Sequence, residues 1–298
     1  MERCETIWTK DGREMELCLY QPAIENQQVI VIGQHVTMER KEYGQLAGYL
    51  SEKGYVVITF SYRGIGNSES VVKEGRKSTM KHWATQDLNG ALLFAKNRFP
   101  QMELILLAHG VSGEIAGIAP ASSYINRLIL VNSALTCSRL RPFHIRLYLW
   151  AISLIAPLLI FWYGYFPGKK IGYLSDIPKG VLKEWAGWCS NSNGLFDDFP
   201  DNNYCRLKIP LLALSFSGSA YMNTRAISTL LARYENAQIQ WYHLSPALFG
   251  QQRLSMNDFF TATTGETLWD VVDSWLQSRE NYVGYFNQQD KFSPLTKI

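Results

Sequence analysis

Short runs of β-branched and aliphatic residues recur along this chain, and their spacing constrains the fold more than any other feature of the sequence. Runs of this length and composition, separated by Gly, Asn, Asp and Ser, predict buried β-strands. Strands that are apolar on both faces are typical of a sheet that is covered on both sides. The predicted strands are Glu14–Tyr20, Gln28–Gly33, Tyr55–Tyr62, Glu103–Ala108, Arg127–Asn132, Leu211–Phe216 and Gln238–His243.

Amphipathic helical patterns lie between several of these strands. In one of them Tyr43, Leu46, Ala47 and Leu50 fall on a single face, at the three- and four-residue spacing of an α-helix. Strands and helices in alternation predict an α/β fold with a mainly parallel sheet. The predicted helices are Lys41–Lys53, Asp87–Arg98, Thr224–Tyr234 and Thr267–Ser278.

The alternation stops between Cys137 and Lys208, where a long apolar run is followed by a stretch with Trp185 and Trp188 and then by a polar loop. A chain of 298 residues is long enough for one large α/β domain that carries an insertion. We therefore predict a core formed by residues 1–136 and 209–280, a helical cap at 137–208 and a polar tail at 281–298.

The apolar run, Leu147 to Phe166, contains no charged residue and has about the length that crosses a bilayer. Arg146 precedes it and Lys169 and Lys170 follow it. Pro157 within the run, Gly164 near its end and its place between two parts of one predicted sheet favour a different structure. We predict a buried or pocket-lining helical hairpin, with membrane association as the alternative.

Charge and cysteine content narrow the possible functions. The net charge is only +3, from 29 basic and 26 acidic residues that are spread along the chain, so the sequence does not indicate nucleic-acid binding. The cysteines, Cys4, Cys18, Cys137, Cys189 and Cys205, lack metal-ligand spacing, and nothing indicates a cofactor. Free thiols, together with a polar N-terminus, predict a cytoplasmic protein.

Residues Gly54 to Ser68, which include Ser61-Tyr62-Arg63-Gly64-Ile65-Gly66-Asn67-Ser68, resemble the strand and turn that precede the nucleophile in α/β-hydrolases. Val29–Thr37 resembles the strand and loop that supply part of the oxyanion hole in these enzymes. The strand Leu104–Ala108, the turn His109-Gly110-Val111 and a helix from Ser112 occupy the place of the nucleophile elbow.

The resemblance extends over nearly the whole chain to a bacterial group of predicted α/β-hydrolases. It implies an α/β-hydrolase fold with an inserted helical cap, and an activity like that of esterases or lipases. The segments that carry it are Phe166-Pro167-Gly168-Lys169-Lys170, Trp185 to Trp188, Leu195-Phe196-Asp197-Asp198, Pro210–Phe216 and Glu266-Thr267-Leu268-Trp269.

The positions that carry the catalytic triad in this family hold other residues here. The elbow, Gly-x-Ser-x-Gly in the family, is Ala108-His109-Gly110-Val111-Ser112, so Gly110 stands where the nucleophile is expected. The acid position falls on Ser219 and the histidine position on Met256. Glycine, serine and methionine cannot form a Ser-His-acid triad.

Two residues near the elbow remain candidates for chemistry. Shifting the motif by two positions makes Ser112 the nucleophile, although a serine in the first turn of a helix more often bonds to the backbone. His35, on the oxyanion-side loop, lies where a base can act, whereas His109 is expected to be structural. A pocket is predicted around Gln34, His35, His109, Gly110 and Val111, with backbone N–H groups that bind a carbonyl or anionic oxygen.

Three functions follow from these residues. The first is a pseudoenzyme that binds a hydrophobic acyl-like ligand, or a protein partner such as a second copy, in the retained pocket. The second is a non-hydrolytic biosynthetic enzyme for cyclisation, condensation, dehydration or C–C cleavage, in which His35, with Ser112 or Glu114, transfers protons. The third is an esterase, thioesterase or lipase that uses the displaced Ser112.

Overall fold

The computed structural model describes residues 2–65, 78–172, 175–217, 223–245, 247 and 258–278. Eight strands form one sheet in the order β1-β2-β4-β3-β5-β6-β7-β8. β1 and β2 pair antiparallel with each other, β2 pairs antiparallel with β4, and the remaining pairs are parallel. The strands are β1 Glu2–Trp8, β2 Glu14–Tyr20, β3 Gln28–Gly33, β4 Val56–Phe60, β5 Glu103–His109, β6 Arg127–Val131, β7 Pro210–Phe216 and β8 Gln238–Leu244.

Helices cover both faces of this sheet, because β3 to β7 are almost entirely buried and need apolar contacts on each side. One core lies between the sheet and α2, α3, α5 and α6, and the other lies between the sheet and α1 and α7. The helices are α1 Gly44–Glu52, α2 Asn89–Arg98, α3 Val111–Ile115, α4 Phe143–Tyr163, α5 Lys179–Ser190, α6 Thr224–Leu231 and α7 Ala262–Gln277. A turn of α-helix, Met80–His82, and a π-helical stretch, Trp83–Leu88, run directly into α2.

The predicted α/β sheet is confirmed, and each predicted strand agrees with an observed strand to within two residues at either end. The first strand, Glu2–Trp8, was not predicted. It is an edge strand in which only Trp8 and a few neighbours are apolar, and all of its side chains are exposed or half-buried. Such a strand lacks the apolar run by which the others were recognised. The predicted tail, 281–298, lies outside the described residues.

The segment between β6 and β7 holds α4, α5 and four short 3-10 turns, at Ser138–Leu140, Gly168–Ile171, Gly194–Asp197 and Tyr204–Arg206. The prediction of a helical hairpin in the apolar run was wrong. Pro157 lies inside one continuous helix, α4, which ends at Gly164 in a left-handed conformation. The predicted burial is also only half right, because one face of α4 contacts the interior and the other is exposed.

The expectation of free thiols was wrong for two of the five cysteines. Cys4 and Cys18 lie directly opposite each other on β1 and β2 and form a disulfide. Neighbouring antiparallel strands bring such pairs within bonding distance, but the pairing depends on β1, which the sequence pattern did not indicate. Cys137, Cys189 and Cys205 are free. Because disulfides persist in oxidising surroundings, this pair gives no support to the predicted reducing compartment.

Candidate functional site

The turn after β5 has the backbone geometry of a nucleophile elbow and carries no side chain at its tip. β5 ends at His109, α3 begins at Val111, and Gly110 between them adopts a positive φ of 55°. Its N–H donates to the Val131 carbonyl at 2.9 Å, which fixes the turn against the end of β6. A left-handed φ disfavours residues that have a Cβ, so glycine suits this position on backbone grounds alone.

The imidazole of His35 occupies the space in which a nucleophile would stand. A methyl carbon attached to the Gly110 Cα would lie 2.1 Å from Cδ2 of His35 and 3.0 Å from its Nε2. Real Cβ atoms do not approach other heavy atoms so closely, so His35 has to move before any side chain is accommodated at residue 110. The structure thus brings together His35 and Gly110, two predicted site residues that lie 75 positions apart in sequence.

Thr37 holds the His35 ring in this orientation. The Thr37 hydroxyl lies 2.8 Å from Nδ1 of His35, and the Thr37 backbone N–H donates to the same nitrogen at 3.3 Å. Because Nδ1 accepts, we assign the proton of the neutral ring to Nε2. Burial lowers the pKa of His35 to about 4. At neutral pH the ring is therefore uncharged and a weak base.

Tyr43 connects His35 to His109 behind the elbow. The Tyr43 hydroxyl accepts from the His35 backbone N–H at 2.7 Å and lies 2.9 Å from Nδ1 of His109. The His109 ring is fully buried and packs on Phe260 with ring centroids 4.4 Å apart. His109 is thus a packing residue. The backbone N–H of His35 already has a hydrogen-bond acceptor in the Tyr43 hydroxyl.

Replacing Tyr43 by phenylalanine is expected to lower the free energy of unfolding by about 1–3 kcal/mol. The change leaves the His35 N–H without its acceptor and removes the contact to His109 in a buried place, where an unsatisfied polar group is costly. Thermal or urea unfolding measures the effect. Tyr124→Phe, at an exposed tyrosine, is the matched control. A Tyr43→Phe protein as stable as that control would contradict the assigned bonds.

Ser112 lies inside the molecule rather than in the cavity wall. Its side chain is fully buried, its hydroxyl donates to the Gln34 carbonyl at 2.6 Å, and the Tyr62 hydroxyl lies 2.7 Å away. The Gln34 side chain also bonds inside the molecule, where its amide nitrogen donates to the Phe60 carbonyl at 3.1 Å. Ser112 and Gln34 therefore join α3 to the ends of β3 and β4.

Glu114 is a buried carboxyl group in the wall of the cavity. Its carboxylate accepts from the Thr136 backbone N–H and, at 2.7 Å, from the Thr136 hydroxyl. Burial raises the pKa of Glu114 to about 7, although the Thr136 bonds and the charge of Arg141 act in the opposite direction. This carboxyl group therefore exchanges its proton near neutral pH, a property that is common in catalytic and ligand-binding groups.

A cavity of about 430 Å³ lies between the elbow and the inner faces of α4 and α5. Most of its wall is aliphatic or aromatic, and the polar exceptions cluster at the elbow end. Cavities of this size and character bind small hydrophobic molecules through a few fixed polar contacts. Its wall is formed by His35, Val36, Thr37, Met80, Gly110, Val111, Glu114, Ala134, Thr136, Ile145, Tyr148, Leu149, Ile152, Phe166, Ile177, Val181, Leu182 and Trp185.

Among the predicted site residues, the cavity wall includes His35, Gly110, Val111 and Glu114 but not Gln34, His109 or Ser112. The other two substituted triad positions, Ser219 and Met256, lie outside the described residues. Within the described part of the chain, Nδ1 of His35 faces the Thr37 hydroxyl, and no carboxylate is bonded to the ring. Sequence reasoning missed Thr37, Tyr43 and Thr136, of which only Thr37 is near a predicted site residue in sequence.

Comparisons with known proteins agree with this fold. A model of the family described as serine aminopeptidase, S33, matches residues 25–184, more than half of the chain. The esterase domain of a Rhodothermus marinus protein is 14% identical, with a TM-score of 0.56 over 92% of this chain and 97% of that chain. A lipase in its open form is 12% identical, with a TM-score of 0.59 over 93% and 98%.

An α/β-hydrolase fold protein from Chitinophaga pinensis is 14% identical, with a TM-score of 0.55 over 93% of this chain and 98% of that chain. At such low identities these structures share the fold alone with this chain. No curated protein matches the sequence. The solved structures confirm the predicted α/β-hydrolase fold.

Proposed function

Because this chain belongs to the serine aminopeptidase S33 family of α/β-hydrolases, we propose that it is a member that binds a hydrophobic, acyl-like ligand without forming an acyl-enzyme. The scaffold of the family supplies the cavity and the elbow. This chain departs from the family pattern at the tip of the elbow, where the group that would attack the ligand is missing. Binding and covalent catalysis are separable on such a scaffold, since the cavity wall and the nucleophile are different residues.

The contact between His35 and Gly110 is the observation that carries this proposal. Acyl transfer at the elbow needs a nucleophilic side chain, a hydroxyl or a thiol, at the tip of the turn and hydrogen-bonded to an imidazole. Here the tip has no side chain, and the His35 ring lies where its Cβ would be. With a pKa near 4, His35 is also poorly suited to accept a proton at neutral pH.

The nature of the ligand follows from how polarity is distributed in the cavity. Away from the elbow the wall is built from apolar side chains, many of them on α4 and α5, which favour an alkyl or aromatic body. At the elbow end lie the His35 ring, the Thr136 hydroxyl and the Glu114 carboxyl, which is protonated in part near pH 7. A ligand with an apolar chain and one carbonyl or carboxyl group fits both ends.

We expect no covalent labelling by a fluorophosphonate probe and no turnover of p-nitrophenyl esters above the buffer rate. A medium-chain fatty acid is expected to displace a fluorescent acyl probe from the same protein. Ala134→Leu should weaken this binding, because the added methyl groups fill the cavity. Ala232→Leu, at an exposed alanine, is the matched control. Labelling or ester turnover would overturn the proposal.

The fluorophosphonate probe also distinguishes the proposed binding protein from an esterase that uses the displaced Ser112. An esterase that uses Ser112 would be labelled, and the label would be lost in Ser112→Ala. Burial of the Ser112 hydroxyl and its bond to the Gln34 carbonyl speak against this alternative.

A second candidate function rests on Glu114. A carboxyl group with a pKa near 7 in a cavity wall is suited to proton transfer, so a non-hydrolytic enzyme acting on a carbonyl compound is the competing proposal. Mass analysis of a bound ligand after incubation distinguishes the two. A chemical change that is lost in Glu114→Gln favours the enzyme, and recovery of the unchanged ligand favours the binding protein.

A further inference from the structure

The outer face of α4 exposes more apolar surface than a water-facing helix carries. The side chains of Trp150, Leu154, Leu158 and Phe161 are 61%, 56%, 63% and 82% exposed, and they repeat at three- and four-residue intervals. Phe143 and Leu147 extend the same stripe toward the start of the helix. Contiguous exposed apolar surface of this kind marks a site of interaction.

The opposite face of α4 is fixed to the rest of the molecule. Leu149 and Ala156 are buried, Ile152 and Ile160 pack against the core, and Ile152 also lines the cavity. The helix has the length and hydropathy of a membrane span, with a mean hydropathy of 1.9. Because α4 packs on the rest of the protein along one side, only its outer face is available to a bilayer.

Cations without nearby acidic residues in sequence flank this face at both ends. No Asp or Glu occurs between Glu114 and Asp176, whereas Arg139 and Arg146 lie near the start of α4 and Lys169 and Lys170 follow its end. All four cationic side chains are exposed, although Lys169 also pairs with Glu39 at 2.9 Å. Basic residues around an apolar face are attracted to anionic lipid headgroups.

Aromatic residues are concentrated at the end of the helix. Phe161, Trp162 and Tyr163 are 82%, 78% and 40% exposed, and Lys170 lies over the Tyr163 ring at 4.3 Å. Trp and Tyr are enriched where protein crosses from lipid to water, because their rings are apolar and their N–H or O–H groups are polar.

We propose that the outer face of α4 docks on the surface of an anionic lipid bilayer, with the helix axis parallel to the membrane plane. A second copy of this chain is a poorer occupant. Because both ends of α4 carry cations, pairing two copies of the helix in either direction brings positive charges together. A bilayer supplies an apolar layer for the stripe and phosphate groups for Arg139, Arg146, Lys169 and Lys170.

An apolar groove adjoins the outer face of α4. A cleft of about 380 Å³ runs between α4 and α5 and includes Phe161, an outer-face residue, together with Ile152, Leu182 and Trp185, which also line the cavity. Lys179 and Lys183 lie on its wall. The docking proposal does not depend on the ligand proposed above.

Flotation of the full chain with lipid vesicles tests the proposal. We expect the protein to float with vesicles of phosphatidylcholine and phosphatidylglycerol, and to float several-fold less with phosphatidylcholine alone or at high salt. A triple variant, Trp150→Gln, Leu154→Gln and Phe161→Gln, should reduce the bound fraction by more than about tenfold. The double variant Arg146→Gln with Lys170→Gln should bind the anionic vesicles more weakly, and its binding to phosphatidylcholine vesicles should not change.

The matched control removes exposed apolar side chains elsewhere. Trp8→Gln with Ile24→Gln changes residues that are 67% and 84% exposed and should leave flotation unchanged. Because all of these side chains face water, each variant should unfold at the temperature of the unmodified protein. Flotation with neither vesicle type, or undiminished flotation of the triple variant, would overturn the proposal.

Two further outcomes also count against docking on anionic lipid. Equal flotation with both vesicle types would refute the role of the cations. A dimer in solution that the triple variant converts to a monomer, without flotation of either protein, would assign the face to a second copy. Ala134→Leu, which fills the cavity, should float normally, so loss of ligand binding and loss of docking are separable.

Discussion

Replacing Gly110 by alanine is expected to lower the free energy of unfolding by about 2–5 kcal/mol. A residue with a Cβ is strained at the positive φ that Gly110 adopts, and such strain costs about 1–2 kcal/mol. The new methyl group would also meet the His35 ring at 2.1 Å, and overpacking of this kind costs about 1–3 kcal/mol more. Urea unfolding followed by circular dichroism measures the change.

Two matched comparisons separate the backbone cost from the clash. Gly12 has a φ of 75° and nothing within 4 Å of the place where its Cβ would be, so Gly12→Ala should show the cost of a positive φ without a clash. In a double-mutant cycle, Gly110→Ala should be less destabilising by about 1–3 kcal/mol when His35 is already alanine. A Gly110→Ala protein no less stable than Gly12→Ala would contradict the placement of His35.

Gly110→Ser tests whether the missing serine is the only reason for the absence of hydrolysis. If glycine were the single defect of an otherwise complete hydrolase, restoring the serine would restore ester turnover. We expect no turnover, because the serine would displace the His35 ring and find an uncharged imidazole of low pKa beside it. Fluorophosphonate labelling of Gly110→Ser that exceeds labelling of Gly110→Ala would show that an imidazole and an acid are in place after all.

The sheet was predictable because its strands bury apolar residues on both sides. β3 and β7 illustrate this, since Val29 to Ile32 and Leu211 to Leu214 are fully or almost fully buried and their sequences are continuous aliphatic runs. β1 escaped prediction for the complementary reason, because an edge strand with exposed side chains has no such pattern. The Cys4–Cys18 disulfide was missed with it.

The elbow was also predictable, but what fills it was not. Gly110 stands out because a local motif places the tip of the turn within a few residues of β5. The position of His35 above it depends on the pairing of β3 with β5 and on Thr37 and Tyr43, which fix the loop after β3. Contacts of this kind join residues far apart in sequence, and no local periodicity encodes them.

The burial of Ser112 and the exposure of α4 have a similar origin. Ser112 was open to two interpretations because its exposure depends on whether the Gln34 carbonyl is within reach, and that is a tertiary contact. For α4, apolar length cannot distinguish a helix enclosed in protein from one that presents half of its circumference outward.

The contribution of Glu114 to the stability of the protein is expected to fall by up to roughly 3 kcal/mol as pH rises from about 4.5 to about 7. The pKa of this carboxyl group is raised from 4.5 to about 7 by burial. In that window the folded state keeps a proton that the unfolded chain has released, so raising the pH favours unfolding. The loss is complete above the folded pKa.

Glu114→Gln isolates this contribution. The glutamine oxygen can accept from the Thr136 N–H and its amide can donate to the Thr136 hydroxyl, so both contacts survive while the titrating proton is removed. The variant should match the unmodified protein near pH 5 and exceed its stability by about 2–3 kcal/mol near pH 8. Urea unfolding at a series of pH values measures the difference between the two proteins.

Other buried groups titrate in the same pH range. The contribution of Glu114 is therefore obtained from the difference in stability between the unmodified protein and Glu114→Gln at each pH. The lowered pKa of His35 acts with the opposite sign, since its contribution to stability is lost as pH falls from 6.5 toward 4. The raised pKa of Asp87, about 6, acts in the same direction as Glu114. Both groups are present in both proteins, so their contributions cancel when the two curves are subtracted.

Glu235→Gln, at an exposed carboxyl group, controls for the loss of one acidic residue and should leave the pH profile unchanged. If Glu114→Gln instead follows the unmodified protein at every pH, Glu114 is ionised in the folded state, and the Thr136 bonds and Arg141 outweigh its burial. The cavity would then hold a fixed negative charge at its polar end, and a neutral or cationic head group would replace the carboxyl group in the ligand that we propose.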